Sequence, residues 1–187
     1  MNGPRGAGLA LMAVGITAAL TACKPPPTDE ALERELPDAQ PVFASAPLPS
    51  PETDGAIWTV SARNRDRIIY GVPGKPALMA LTCIAEDGAG NGPARLRVSR
   101  ISPADEGASA LLALVGNGHI ARIKVEAAET SGAIIWRGEV EARGAAEGKL
   151  APLSGARALT ATVPGAGMVT LNPSAIPMEM IESCAQR

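Results

Sequence analysis

Beyond residue 56 the chain alternates apolar and polar side chains with a period of two, in short runs broken by glycine, proline, asparagine and aspartate. Helices repeat their apolar positions every three or four residues, so this pattern predicts half-buried strands. Strands are expected over 57–62, 67–70, 77–84, 95–100, 111–115, 120–126, 133–140, 158–163 and 168–171. In 95–100, Leu96 and Val98 are expected to face inward and Arg95, Arg97 and Ser99 outward. In 120–126, Ala121, Ile123 and Val125 take the inward positions, while Arg122, Lys124 and Glu126 point to solvent. Gly116-Asn117-Gly118 joins two such arms and predicts a tight hairpin, because Asn and Gly tolerate positive φ. The run 77–84 is nearly continuously apolar, as in a strand buried on both faces. Residues 141–149, rich in Gly and Ala, are expected to form a loop or frayed helix. Pro177 then opens a short helix with Met178, Ile181 and Cys184 on one face. The fold class is mainly β: an antiparallel sandwich or small barrel of about eight or nine short strands with a short C-terminal helix.

The first 55 residues follow another logic. Arg5 sits in a short leading region, and residues 7–20 form an uncharged run of signal-peptide length. A membrane-spanning helix needs about 20 apolar residues, and Pro25, Pro26 and Pro27 stop this one from extending. Residues 1–22 are therefore read as a signal peptide. Leu20-Thr21-Ala22-Cys23 resembles the lipobox of bacterial lipoproteins. The resemblance implies that Cys23 is alkylated with diacylglycerol, that cleavage falls just before it, and that the new amine is acylated. An ordinary secretory cleavage after Ala22 would place Leu20 at a position that prefers a small residue. Two or more acyl chains anchor stably where one holds only marginally. The resemblance also implies the periplasmic face of the outer membrane, since Lys24 stands where an Asp often marks retention in the inner membrane.

Residues 23–55 carry prolines at 25, 26, 27, 37, 41, 47, 49 and 51 among Ala, Ser and acidic residues. Such a stretch is expected to be a disordered, semi-rigid tether reaching on the order of 100 Å at about 3.1 Å per residue. Its one interruption, 28–36, suits a short helix capped by Thr28, marginal in isolation. Residues 56–187 form the β-rich domain.

Composition narrows the function. Apolar residues make up 46% of the chain but aromatic ones only 2%, and the formal charge is −2. Without a cationic excess or stacking platforms, nucleic acid is not an expected partner. A metal needs several converging ligands, yet His119 is the single histidine; no metal and no cofactor are expected. His119 would have to serve as base for any serine nucleophile, and no Gly-x-Ser-x-Gly or Ser-x-x-Lys motif accompanies it. No catalytic residue is assigned, and His119 is read as a polar strand-end residue. Trp58 and Trp136 fall within expected strands and are read as core rather than as sugar platforms. The glycine-rich pieces 88–92 and 165–167 are read as turns. Arg63-Asn64-Arg65-Asp66-Arg67 is read as a solvated hairpin loop, or else a contact for anionic headgroups or a partner.

Lipidation consumes the thiol of Cys23, which leaves Cys83 and Cys184 as the pair expected to form a disulfide in an oxidising compartment. Two buried, unpaired thiols are the alternative. The layout loosely resembles small uncharacterised envelope proteins of Gram-negative bacteria, on Leu81-Thr82-Cys83 and on the tail residues Pro177, Ile181 and Cys184. That likeness brings no activity. Ser154-Gly155-Ala156-Arg157 is similar to a stretch in lipoprotein inhibitors of lysozyme, although Ala158 stands where those carry an aromatic residue. The expected function is a lipid-anchored, non-catalytic envelope module, held to the membrane through Cys23 and acting by contact with an envelope partner. A periplasmic hydrolase, or an inhibitor of a lysozyme-like enzyme, is the alternative.

Overall fold

A computed structural model describes residues 47–84 and 92–187. Its strands are β1 (Ile57–Ser61), β2 (Asn64–Gly71), β3 (Met79–Ile84), β4 (Arg95–Pro103), β5 (Ser109–Gly116), β6 (His119–Thr130), β7 (Ala133–Glu141), β8 (Leu159–Thr162) and β9 (Met168–Leu171). They form one antiparallel nine-stranded sheet in the order β1-β2-β3-β4-β7-β6-β5-β8-β9. The β5–β7 meander is thus laid in reverse between β4 and β8. The expected mainly β fold is present, as one unclosed sheet coiled around a single core.

The coiling follows from what the inward residues reach. Tyr70 on β2 is fully buried; its hydroxyl donates to the Thr170 carbonyl at 2.9 Å and accepts from the Asn172 amide at 3.0 Å. The Asn172 side-chain amide donates to the Ala56 carbonyl at 2.8 Å. Side chains thereby tie the two edge regions, although β1 and β9 share no ladder. Gly138 permits a close approach of backbone to backbone: a Cβ there would stand 2.2 Å from the Lys124 carbonyl. Only glycine lets β6 lie this close to β7.

Alternation holds for the inward residues that were read, but Ser99, expected outward on β4, is buried. Leu96, Val98, Ala121, Ile123 and Val125 are buried together with Trp58 and Trp136. In β3, Met79, Ala80, Leu81 and Cys83 are buried but Thr82 and Ile84 only partly, so burial on both faces is confined to part of that strand. The β5–β6 hairpin closes with Gly116 opposite His119, Asn117 and Gly118 both having positive φ. Asn117 also fastens the turn: its amide donates to the Pro152 carbonyl at 2.8 Å and its carbonyl oxygen accepts from the Arg157 amide at 3.2 Å. The Ser154–Arg157 stretch is the strap beneath this hairpin, and a Cβ on Gly155 would run into the Asn117 side chain.

Arg63–Arg67 is not one loop. The turn is confined to Ala62 and Arg63, and β2 begins at Asn64, whose side chain accepts from the Asp66 amide at 2.8 Å. A register shift between Val60 and Ser61 lets the ladder resume that close to the turn.

The connection from β7 to β8 makes a helical turn, α1 (Ala142–Gly144), then a π-type turn (Ala145–Lys149) and a 3-10 turn (Ala151–Ser154). The C-terminal helix α2 (Ile176–Ala185) packs on these and on β2, β3 and β4, burying Ile181 and Cys184. The sulfurs of Cys83 and Cys184 lie 2.02 Å apart with their Cα atoms at 5.6 Å, a disulfide that fixes α2 to the end of β3. Packing also extends N-terminally of Ala56: the Leu48 amide donates to the Gly165 carbonyl at 2.8 Å and the Met168 amide to the Ser50 hydroxyl at 3.1 Å.

Arg100 continues the inward row of Leu96 and Val98. It is 2% exposed and has no carboxylate hydrogen-bonded to it; its guanidinium instead donates to the carbonyls of Leu78 (3.1 Å), Ile101 (3.0 Å) and Ala166 (2.8 Å). Desolvation lowers its pKa to about 10, so the side chain still carries its charge at neutral pH. Among the described residues it joins β4 to the segments before β3 and β9.

Candidate contact face

Alternation that turns Leu96, Val98, Ile123 and Val125 inward sends the charged residues of the same strands outward, and the strand order brings them together. Arg97 pairs with Thr82 on β3 and Glu139 on β7, and Thr82 pairs in turn with Arg67 on β2. One row further, Ser99 faces Arg137, which faces Glu126 on β6. The β6–β7 ladder runs from Thr130–Ala133 to Glu126–Arg137. Where it ends, a cleft of about 360 Å³ opens on the outer face, lined by Arg95, Lys124, Glu126, Arg137 and Glu139.

Glu139 is the hub of this cluster. Its carboxylate accepts from Arg95 Nε at 3.0 Å and from Arg97 Nε and Nη2 at 3.0 and 2.8 Å. Burial pushes its pKa up, but the hydrogen bonds and charges of Arg97 and Arg95 outweigh that and hold it below the usual carboxylate range. Arg137 donates to the Thr130 hydroxyl, and its buried Nε has no hydrogen-bond partner among the described residues. Burial lowers its pKa, and the neighbouring charges of Arg97 and Arg67 lower it further against the opposing pull of Glu139. Lys124 pairs with Glu126 at 2.7 Å, both exposed. A solvent-exposed pair such as Lys124–Glu126 contributes only about 0–1 kcal/mol. Chemically the cluster offers an open seat for an anion, with cations in excess on a chain of net charge −2.

Beside the cluster the outer face of β5 and β6 turns aliphatic. Leu111, Val115 and Ile120 are 50%, 44% and 58% exposed. Leu111 lies opposite Lys124, Ala113 opposite Arg122, and Val115 opposite Ile120, so apolar and cationic residues share one surface.

The sequence-derived site residues distribute as follows. Cys23, the expected lipidation site, lies outside the described residues, as do the signal peptide, the expected tether up to residue 46 and all but Gly92 of the glycine-rich piece 88–92. Cys83 and Cys184 are brought together as the disulfide. His119 is exposed at the end of the hairpin turn, and both tryptophans are core. Among the described residues no group of His, Cys, Asp or Glu is arranged to hold a metal ion, and no helix is long and apolar enough to cross a membrane. Sequence reasoning placed each outward cation of β4 and β6 on its own strand but did not join them. Their meeting depends on β4 pairing with β7, whose Glu139 is 42 residues from Arg97. No protein-family model, curated protein or solved structure matches the chain.

Proposed function

We propose that this chain is a lipid-anchored, non-catalytic envelope module, held at the periplasmic face of the outer membrane through Cys23 and acting by contact with other envelope components. The observation that carries the reading is the outer face of β4, β6 and β7, where Arg95, Lys124 and Arg137 line an open cleft together with Glu126 and Glu139, outside the core. A solvent-open charged cleft on the outer face of the sheet is a surface for binding rather than an enclosed chamber for reaction. The lipobox Leu20–Cys23 and the Pro-rich stretch behind it supply the tether. The Cys83–Cys184 disulfide fits an oxidising compartment.

The anchor is tested by Cys23→Ser in a Gram-negative host fed a clickable fatty acid. The expected result is complete loss of acyl labelling, with the precursor left uncut before residue 23. A lipid-free mature protein of ordinary size, formed equally from the wild type and from Cys23→Ser, would refute the anchor.

A further inference from the structure

We infer that the outer face between β4 and β7 binds a single-chain anionic amphiphile, its aliphatic tail in a cleft between Ile101, Pro103, Ala133 and Ile135 and its acid head on Arg137. The inference rests on the envelope-contact reading for its setting and names the class of ligand this face takes.

The cleft originates in the β4–β7 ladder. Pairing runs regularly from Arg95–Glu141 to Arg100–Trp136, and the next pair after the irregularity is Pro103–Ile135. Ile101 and Ser102 are therefore extra residues on β4, a bulge that bends the strand away from its neighbour. The cleft at this bulge measures about 460 Å³ and is lined by residues 101–104 and 133–135, none of them charged. Apart from Ser102 its side chains are aliphatic, and its volume is that of a small-ligand site.

A cation stands at the rim. Arg137 follows Ile135 by two residues on the same face of β7, about 7 Å along the strand. Its side chain reaches back toward the cleft, donating to the hydroxyl of Thr130, the ladder partner of the lining residue Ala133. The acids near Arg137 are already engaged. Glu126, opposite it in the ladder, is paired with Lys124, and Glu139 is held by Arg95 and Arg97. The charges that act on Arg137 are those of two cations, Arg97 and Arg67, against the single carboxylate of Glu139. A bound anion would exchange that repulsion for charge-assisted hydrogen bonds. An uncharged cleft with a positive rim thus matches a molecule with an aliphatic chain and an acid end. The acyl groups expected on Cys23 carry no acid and would leave Arg137 without a counter-charge.

The test uses the mature-length chain, residues 24–187, without acylation, so that its outcome does not depend on Cys23. The described residues within it form a complete core with its own disulfide. Calorimetric titration is made with dodecanoate below its micelle concentration, and with acetate, dodecyltrimethylammonium and dodecylglycerol for comparison. Dodecanoate is expected to saturate one site and to bind about tenfold or more tighter than each of the other three. Arg137→Gln removes a hydrogen-bonding charge at the head and is expected to weaken dodecanoate roughly 10- to 100-fold. Ala133→Phe, at an exposed position of the lining, fills the cleft and is expected to weaken it roughly tenfold. An unaltered thermal unfolding midpoint verifies the fold of each variant, and the ligand series needs no variant at all. Acetate binding as tightly as dodecanoate overturns the role of the tail, and equal binding of dodecyltrimethylammonium overturns that of the head. Equal binding of dodecylglycerol also overturns the inference and would mark a seat for uncharged acyl groups such as those expected on Cys23. Absence of saturable binding, or wild-type affinity in either variant, overturns it as well. None of these failures touches the Cys23→Ser result.

Discussion

Replacing Cys83 and Cys184 together by Ala is expected to lower the stability of the domain by about 4 kcal/mol, within the 2–5 kcal/mol range for loss of a native disulfide. The two cysteines are 101 residues apart in sequence. Cross-linking so long a loop removes much of the unfolded chain's freedom, about 4.7 kcal/mol in the chain-entropy model. The folded state loses little by forming the bond, because α2 already buries Ile181 and Cys184 beside α1 and β3. For a domain of this size the loss corresponds to roughly 10 °C or more in melting temperature. The thermal midpoint should fall by the same amount when the wild type is reduced with dithiothreitol, and the double variant should not respond to the reductant. If reduction left the wild-type midpoint unchanged, the bond would not be a structural clamp. Loss of the bond should first release α2, the element it fastens.

Arg100→Ala is expected to cost about 3–5 kcal/mol, the scale for breaking a buried polar cluster. The guanidinium donates to the carbonyls of Leu78, Ile101 and Ala166; the Leu78 carbonyl keeps the Ile101 amide as a second donor, while a buried acceptor left unpaired costs about 1–3 kcal/mol. Arg100→Met separates these bonds from simple volume, since Met fills much of the space but donates nothing. Replacing a buried charge by an apolar residue is often neutral when both partners of an ion pair are removed. Here the partners are backbone carbonyls that no substitution removes, so Arg100→Met should remain clearly destabilised. Urea unfolding midpoints at constant slope measure both variants. A Met variant as stable as the wild type would mean that the three bonds add nothing beyond packing.

Most of the architecture was legible because alternation is a local signal. Leu96 and Val98 on β4, and Ala121, Ile123 and Val125 on β6, each declare the inward face of their own strand, and Asn117-Gly118 declares the hairpin. The turn chemistry at Ala62 and Arg63 was less clear, since the polar residues that follow it belong to β2 rather than to a longer loop. Arg100 lies on the inward row by the same alternation that places Val98. A cation at a core position runs against the ordinary burial preference for Arg, and its carbonyl partners come from segments far along the chain. The contact face was legible only in parts. Arg95 and Arg97 read as outward from sequence, but their pairing with Glu139 requires β4 to lie beside β7, and strand order among antiparallel strands leaves no periodic trace. The hairpin's exposed aliphatics were hidden differently: Leu111 and Val115 share a strand with buried Leu112 and Leu114, so the segment reads as uniformly apolar.

The proposal of a lipid-tethered domain that works through its outer face is tested most directly by site-specific photocrosslinking in intact cells. A photoreactive residue replaces Ile120 or Lys124 on that face, and Glu182 on the exposed side of α2 serves as the control position. Adducts with envelope lipid or protein at Ile120 and Lys124, and none at Glu182, are the predicted result. Equal adducts at all three positions, or none above background on the outer face, would contradict it.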